Sequence, residues 1–244
     1  MKEVRALSAT GMLGSGFRED SLKRAMALKP DFIGADSGST DPGPHHLGSG
    51  EGQFSDSAYK RDLRLMLLAA IHSEQDKGYL KRKLREGRVK PLANAPTLDD
   101  AVIDRSAHVV GMCGIEPYVE AMQNGAEVII AGRSSDTSIF SALPVMKGLN
   151  PATVWHAAKI LECGADCVVL RKYPDCMFAA IRDDSFIIEP PNPEYRCDPA
   201  TVASHSLYEN GSPYELVEPS GVLDTIAAKY EAVSDRAVKV SEDV

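Results

Sequence analysis

The side chains best suited to chemistry gather in Gly34-Ala35-Asp36-Ser37-Gly38-Ser39-Thr40-Asp41-Pro42-Gly43-Pro44-His45-His46. The run follows Asp31–Ala35, which reads as a short buried strand. In open α/β sheets ligands bind beyond the carboxyl ends of strands. Asp36, Asp41 and His45 are the candidate catalytic acid and base. Ser37, Gly38, Ser39 and Thr40 are candidate substrate contacts, because hydroxyls and a glycine backbone can approach a ligand closely. A divalent metal on Asp36, Asp41 and His45 or His46 is an open alternative, with no cofactor assigned. The structural alternative is a surface loop whose Asp and Ser residues cap turns.

A second polar turn, Gly132-Arg133-Ser134-Ser135-Asp136-Thr137, also leaves a strand and enters a helix. Backbone N–H groups at such a helix start, with Arg133 beside them, could hold a carboxylate or phosphate. Arg133, Ser135, Asp136 and Thr137 are therefore candidate substrate contacts. The alternative is an N-cap by Ser135 or Asp136 with an Arg133–Asp136 pair. Three weaker patterns remain. Gly11, Gly14 and Gly16 resemble a nucleotide loop but lack the last glycine of the dinucleotide fingerprint and the lysine of a P-loop. Trp155-His156 with Lys159, Glu162 and Cys163 shares a helix face; the readings are a Cys–His nucleophile pair or a half-buried helix with a packed histidine, the second favoured. His72–Asp76 reads as a helix cap built from Ser73 and Asp76.

The elements that must position these residues alternate. Strands are expected at residues 4–10, 31–35, 107–112, 126–131 and 167–170. Helices are expected from Asp20–Ser21, over 60–70, 75–86, 116–124 and 151–163, and from Ser138. This alternation predicts an α/β fold with a mainly parallel sheet flanked by helices. From residue 173 the character changes. Met177–Ile181 and Ser185–Glu189 read as a β pair, and further strands are expected over 230–240. The expected organisation is an α/β domain over 1–172 and a smaller β-rich C-terminal region over 173–244.

The chain has 244 residues, 43% hydrophobic, 6% aromatic, with a formal net charge of −8. That composition fits a globular core and offers no basic, aromatic-studded face for nucleic acid. No apolar run approaches the roughly 20 residues of a membrane span, and Met1–Arg5 lacks an apolar signal core. A cytoplasmic location is expected. Five irregularly spaced cysteines make neither a disulfide framework nor a zinc signature.

Several segments together resemble the acyclic terpene utilisation (AtuA-like) family: IGADSGSTDPGPHHLGSG, KRDLRLML, IHSEQDKGYLKRKLREGRV, IDRSAHVVGMCGIEPYVEA, AGRSSDTSIFSALP, WHAAKILECGA, FAAIRDDSFIIEPPNPEYRC and LYENGSPYELVEPSGVLDT. The resemblance implies a role in catabolism of acyclic terpenoid or branched acyl compounds as CoA thioesters. The expected function is hydration, elimination or hydrolysis of an acyl-CoA or small carboxylate, with Asp36 or Asp41 as base and Arg133 on the anionic group. The alternative is a non-catalytic subunit or scaffold for a partner enzyme of the same pathway; homo-oligomerisation is also open. Family members carry a further strand, glycine-rich turn and helix where Ala69-Ala70 here runs into Ile71-His72, and they continue beyond the position of Val244. Both differences imply an internal deletion and a missing C-terminal part.

Overall fold

The computed structural model describes residues 2–10, 19–35, 67–91, 94–208 and 210–241. Its largest sheet has six strands, ordered β2-β1-β5-β6-β10-β9. These are β1 (Glu3–Ser8), β2 (Phe32–Gly34), β5 (Met177–Arg182), β6 (Ser185–Glu189), β9 (Lys229–Ala232) and β10 (Val238–Ser241). Only β1 and β2 pair in parallel, joined by helix α1 (Glu19–Ala27) as a βαβ crossover. All other neighbours in this sheet are antiparallel.

The fold is thus mixed α/β, and the expectation of a mainly parallel sheet is corrected. The reason is connection length. Only Asp183 and Asp184 separate β5 from β6, and a short turn separates β9 from β10, so these pairs can close only antiparallel. β1 then docks antiparallel to β5 over six residue pairs, Glu3 opposite Arg182 through Ser8 opposite Met177. The sheet therefore draws strands from both sides of residue 172.

A second parallel pair stands apart, β3 (Leu68–Ile71) beside β4 (Val128–Ala131). Residues 68–70 were expected to end a helix. Here the apolar run Leu-Ala-Ala-Ile pairs with Val-Ile-Ile-Ala, and that pairing overrides local helical spacing. The strands expected at 107–112 and 167–170 are also replaced. Val110 makes only an isolated bridge to Glu74, and Ala165–Cys167 is a short 3-10 turn. A hairpin unforeseen in the sequence, β7 (Glu215–Glu218) with β8 (Gly221–Asp224), forms its own two-stranded sheet. Among the described residues the remaining helices are α2 (Lys77–Arg85), α3 (Asp100–Arg105), α4 (Glu116–Gln123), α5 (Ser138–Met146), α6 (Pro151–Leu161) and α7 (Pro199–His205). Among the described residues, no helix is long and apolar enough to cross a membrane.

Helix α6 organises the core. Asn150 caps it by accepting from the Ala152 N–H, and Pro151 occupies the first turn, where its missing donor costs nothing. Val154, Ala157, Ala158, Ile160 and Leu161 are fully buried against α5 and the inner face of β5 and β6. Such complete burial leaves little room for charge, yet Lys159 and Glu162 lie at its last turn. Gly164 then reverses the chain at φ 62°. A Cβ there would lie 2.8 Å from the Thr10 carbonyl oxygen and 3.0 Å from that of Asp175. Gly164→Ala should cost about 2 kcal/mol through left-handed strain and backbone crowding, read as a lower urea midpoint at unchanged m-value.

Candidate active site

The turn after β4 is held from three sides. The Ser73 hydroxyl donates to the Arg133 carbonyl at 3.0 Å. Cys113 clamps the turn through its own N–H to the Arg133 carbonyl and through its carbonyl, which accepts from the Ser135 N–H. Tyr118 reaches the Ser134 hydroxyl at 2.6 Å. This scaffold leaves Ser135 and Asp136 on the wall of a cleft of about 470 Å³. Lys159 and Glu162 from the end of α6 form a second wall. Residues 210–212 and β7, including Glu215 and Glu218, form a third.

Lys159 and Glu162 are almost entirely removed from water. The Lys159 side chain is 7% exposed and that of Glu162 5%, and the two form an ion pair one helical turn apart. The Lys159 Nζ also lies over the Tyr208 ring, 5.6 Å from its centroid, close enough for a cation–π contact. Ser135 donates to Glu218 and lies 3.0 Å from the Thr137 hydroxyl. Burial pushes the Glu162 carboxyl up to about 7, against the pull of Lys159 and with further upward pressure from Asp136 and Glu218. A carboxyl at that value is present in both protonation states near neutrality, as a proton-transfer group needs.

His205, on α7, stacks on Tyr208 with rings 8° from parallel. It is 7% exposed, and its Nε2 has no hydrogen-bond partner among the described residues. Burial, reinforced by the Lys159 and Arg171 cations, holds its imidazole down to about 4. The two shifted groups give opposite proton linkages. The folded chain keeps a proton on Glu162 that the unfolded chain releases, so this contribution falls as pH rises from about 4.5 to 7. The unfolded chain binds a proton on His205 that the folded one refuses, so that contribution falls as pH drops from 6.5 to about 4. His205→Phe keeps the stack and removes one slope. Between pH 7 and 4.5 its unfolding free energy should rise relative to wild type by about 2.4 kcal/mol, measured by urea titration at each pH.

Of the residues singled out in the sequence, Ser135 and Asp136 line the cleft, and Thr137 is buried beside Ser135. Neither Ser135 nor Asp136 is the residue that caps α5, since Thr137 occupies that position without a side-chain cap bond. Arg133 is exposed, outside the cleft lining, and among the described residues its guanidinium has no ion-pair partner. Asp36, Ser37, Gly38, Ser39, Thr40, Asp41 and His45 lie outside the described residues, as does the Gly11–Gly16 run. His156 is the packed histidine: fully buried, its Nε2 lies 3.2 Å from the Ser206 hydroxyl and 3.1 Å from that of Tyr230. Asp76 alone caps α2, accepting from Tyr79, while Ser73 is committed to Arg133. No group of three or more metal-binding side chains assembles among the described residues.

Sequence reasoning missed the pairing of Lys159 with Glu162 as a site, and it missed Glu218 entirely. A signal for the first was present: two charged residues on the helix Pro151–Leu161 and its cap, otherwise almost wholly apolar. Glu218 carries no local signal, because its role depends on the hairpin folding back over Ser135.

Residues 53–169 match the family model of the acyclic terpene utilisation family protein AtuA. The resemblance drawn from the sequence segments holds over that span. The AtuA match contains the turn from Arg133 to Thr137 and both members of the Lys159–Glu162 pair, and it stops before Glu218. No curated protein and no solved structure matches this chain.

Proposed function

We propose that this chain acts in the catabolism of acyclic terpenoid or branched acyl-CoA compounds, by proton transfer at Glu162 during hydration, elimination or hydrolysis of an acyl-CoA or small carboxylate. The observation that carries the reading is a nearly water-free carboxyl on a cleft, balanced between its two protonation states near pH 7. In water addition Glu162 as carboxylate takes a proton from the attacking water; as the acid it returns one to the developing carbanion. Ser135 lines the cleft with its hydroxyl donating to Glu218, and Thr137 is buried behind it. Asp136, Glu162, Glu215 and Glu218 line the cleft together with Lys159, four carboxylates to one cation. The reacting group must therefore be uncharged, and the anionic part of the substrate must lie outside, where Arg133 is exposed and available. Asp36, Asp41 and His45 stay in the proposal as further acid–base candidates.

The test is an α,β-unsaturated branched acyl-CoA incubated with the purified chain, followed by mass spectrometry for gain of one water. Glu162→Gln should lower the rate by about 100-fold or more, and Arg133→Ala should raise KM while sparing kcat. An equal rate in Glu162→Gln and wild type would sink the assignment. In a relative of the same family, alanine at the positions matching Asp36, Asp41 and Arg133 should impair growth on the terpenoid acid; unimpaired growth of all three would remove those residues.

A second reading rests on a different surface. Leu67, Leu68 and Ile130 on the β3–β4 pair are 61%, 49% and 52% exposed, although parallel strands are normally covered on both faces. A non-catalytic subunit would use such a surface to dock a partner enzyme or a second copy. Sedimentation of Ile130→Glu against wild type tests it; identical behaviour at every concentration would remove self-association.

A further inference from the structure

Lys159 is a nucleophile-bearing side chain that the acid–base reading does not use. It is desolvated, yet it lines a cleft open to ligands. Its nitrogen is held in place by the Glu162 carboxyl on one side and the Tyr208 ring on the other. Water is thus largely kept from the nitrogen, while a proton acceptor and the cleft lie directly beside it. Lysine amines form imines with carbonyl carbons, and a neighbouring carboxyl can take and return the protons that the step requires.

We propose that Lys159 forms an imine with a neutral aldehyde or ketone held in the cleft, with Glu162 as the proton donor and acceptor of that step. The inference rests on the same cleft being a reaction site with Glu162 as its acid–base group.

The step balances. Glu162 first accepts a proton from the Lys159 ammonium, giving an amine and a carboxylic acid. The amine lone pair forms a bond to the carbonyl carbon while the C=O π bond breaks, and a proton passes from nitrogen to oxygen to give the carbinolamine. Glu162 then donates its proton to the departing hydroxyl, the C–O bond breaks, and one water leaves. The product is a protonated imine facing the Glu162 carboxylate. An ion pair of ammonium and carboxylate has become one of iminium and carboxylate, so the net charge of the site is unchanged. Asp136 and Glu218, which also face Glu162, favour the cationic iminium over the neutral carbinolamine. The same carboxylates repel an anionic carbonyl compound such as a 2-oxo acid, so the substrate class is narrowed to uncharged carbonyls.

The experiment is reductive trapping. The full chain is incubated with a branched aliphatic aldehyde or a branched methyl ketone and sodium borohydride, digested, and mapped by mass spectrometry. Lys23, whose side chain is 66% exposed, serves as the internal reference. The secondary amine should form at Lys159 about tenfold faster than at Lys23 despite its burial. Glu162→Gln should slow trapping by about 100-fold, and a 2-oxo acid should trap poorly. Lys159→Arg keeps a cation beside Glu162 and should abolish the adduct at that position. Trapping of Lys159 no faster than Lys23 in wild type overturns the inference, and that result requires no variant to fold. If Lys159 is not trapped while Glu162→Gln still stops water addition, only the imine falls. If Lys159 is trapped but Glu162→Gln leaves water addition intact, the acyl-CoA reading falls instead.

Discussion

Lys159→Met should lower the unfolding free energy by about 1.4 kcal/mol more at pH 8 than at pH 5. A carboxyl that titrates at about 7 beside the lysine, and keeps its proton without it, opens a gap of about 1.4 kcal/mol for each pH unit above 7. In the wild-type chain the Glu162 carboxylate has one compensating cation beside it, against the upward pressure of Asp136 and Glu218. Without the ammonium, that carboxylate is buried among its own kind at the carbonyl end of α6, where the helix dipole also opposes negative charge. The side chain escapes by keeping its proton, so its titration should move above about 7. The sign of the pH dependence follows. At pH 5 Glu162 is protonated in both folded proteins and the variant loses little. The difference between variant and wild type should open as pH rises through 7 and be largest at pH 8. Methionine fills most of the lysine volume, so a packing defect would instead give a loss independent of pH. The double variant Lys159→Met/Glu162→Gln removes both charges and should recover most of the pH 8 deficit. Urea titrations at pH 5 and pH 8 on the four proteins give the coupling directly; a pH-independent loss in the single variant would show that the pair is not an ion pair in solution.

The parts of this fold legible in the sequence are those decided locally. Asn150-Pro151 and Gly164 bracket α6, Asp198 and Thr201 form the capping box of α7, and the two aspartates between β5 and β6 mark a hairpin. Sheet order was not legible. Nothing near Glu3–Ser8 shows that its long-range partner is Met177–Arg182, more than 160 residues away, and the helix–strand alternation upstream argues for parallel neighbours instead. Leu68–Ile71 failed for the same reason: its state is set by Val128–Ala131. The candidate site follows the same division. The turn from Arg133 to Thr137 was found because glycine, arginine, serines and an acid after an apolar strand are a local pattern. Glu162 was seen only as one face of a helix, since its acidity depends on burial and on Asp136 and Glu218 arriving from elsewhere in the chain. Charge on an otherwise apolar helix is the more useful signal, because its placement opposes the hydrophobic pattern around it.

Asp175→Ala should cost about 4 kcal/mol, from stranding several buried donors at once. Asp175 is fully buried at the start of β5. One carboxylate oxygen accepts from the Ser21 hydroxyl of α1 at 2.9 Å and from the Asn192 amide at 2.8 Å; the other accepts from the Cys176 N–H at 2.8 Å. Asn192 extends the network through its carbonyl, which accepts from Arg236 at 2.6 Å. The Asp175 carbonyl accepts from Ala165, beside the Gly164 reversal that ends the Glu162 segment. One side chain thus joins α1, β5, the 190–195 turn and the approach to β10. Alanine leaves the Ser21 hydroxyl and the Cys176 N–H without that acceptor, and leaves the Asn192 amide only the Tyr173 hydroxyl at 3.0 Å, in a tightly packed region. Asparagine supplies one acceptor but turns an NH₂ group toward groups that are already donors, so Asp175→Asn should recover only part of the loss. A second readout is Cys176, whose thiol burial and the Asp175 carboxylate together push up to about 12. Removing the carboxylate lowers that barrier to ionisation, and loosening the network admits reagent. Cys176 should therefore alkylate faster in Asp175→Ala than in wild type under native conditions. A stability loss below about 1 kcal/mol with unchanged Cys176 reactivity would mean that these donors find other partners, and that the network does not anchor the turn carrying Glu162.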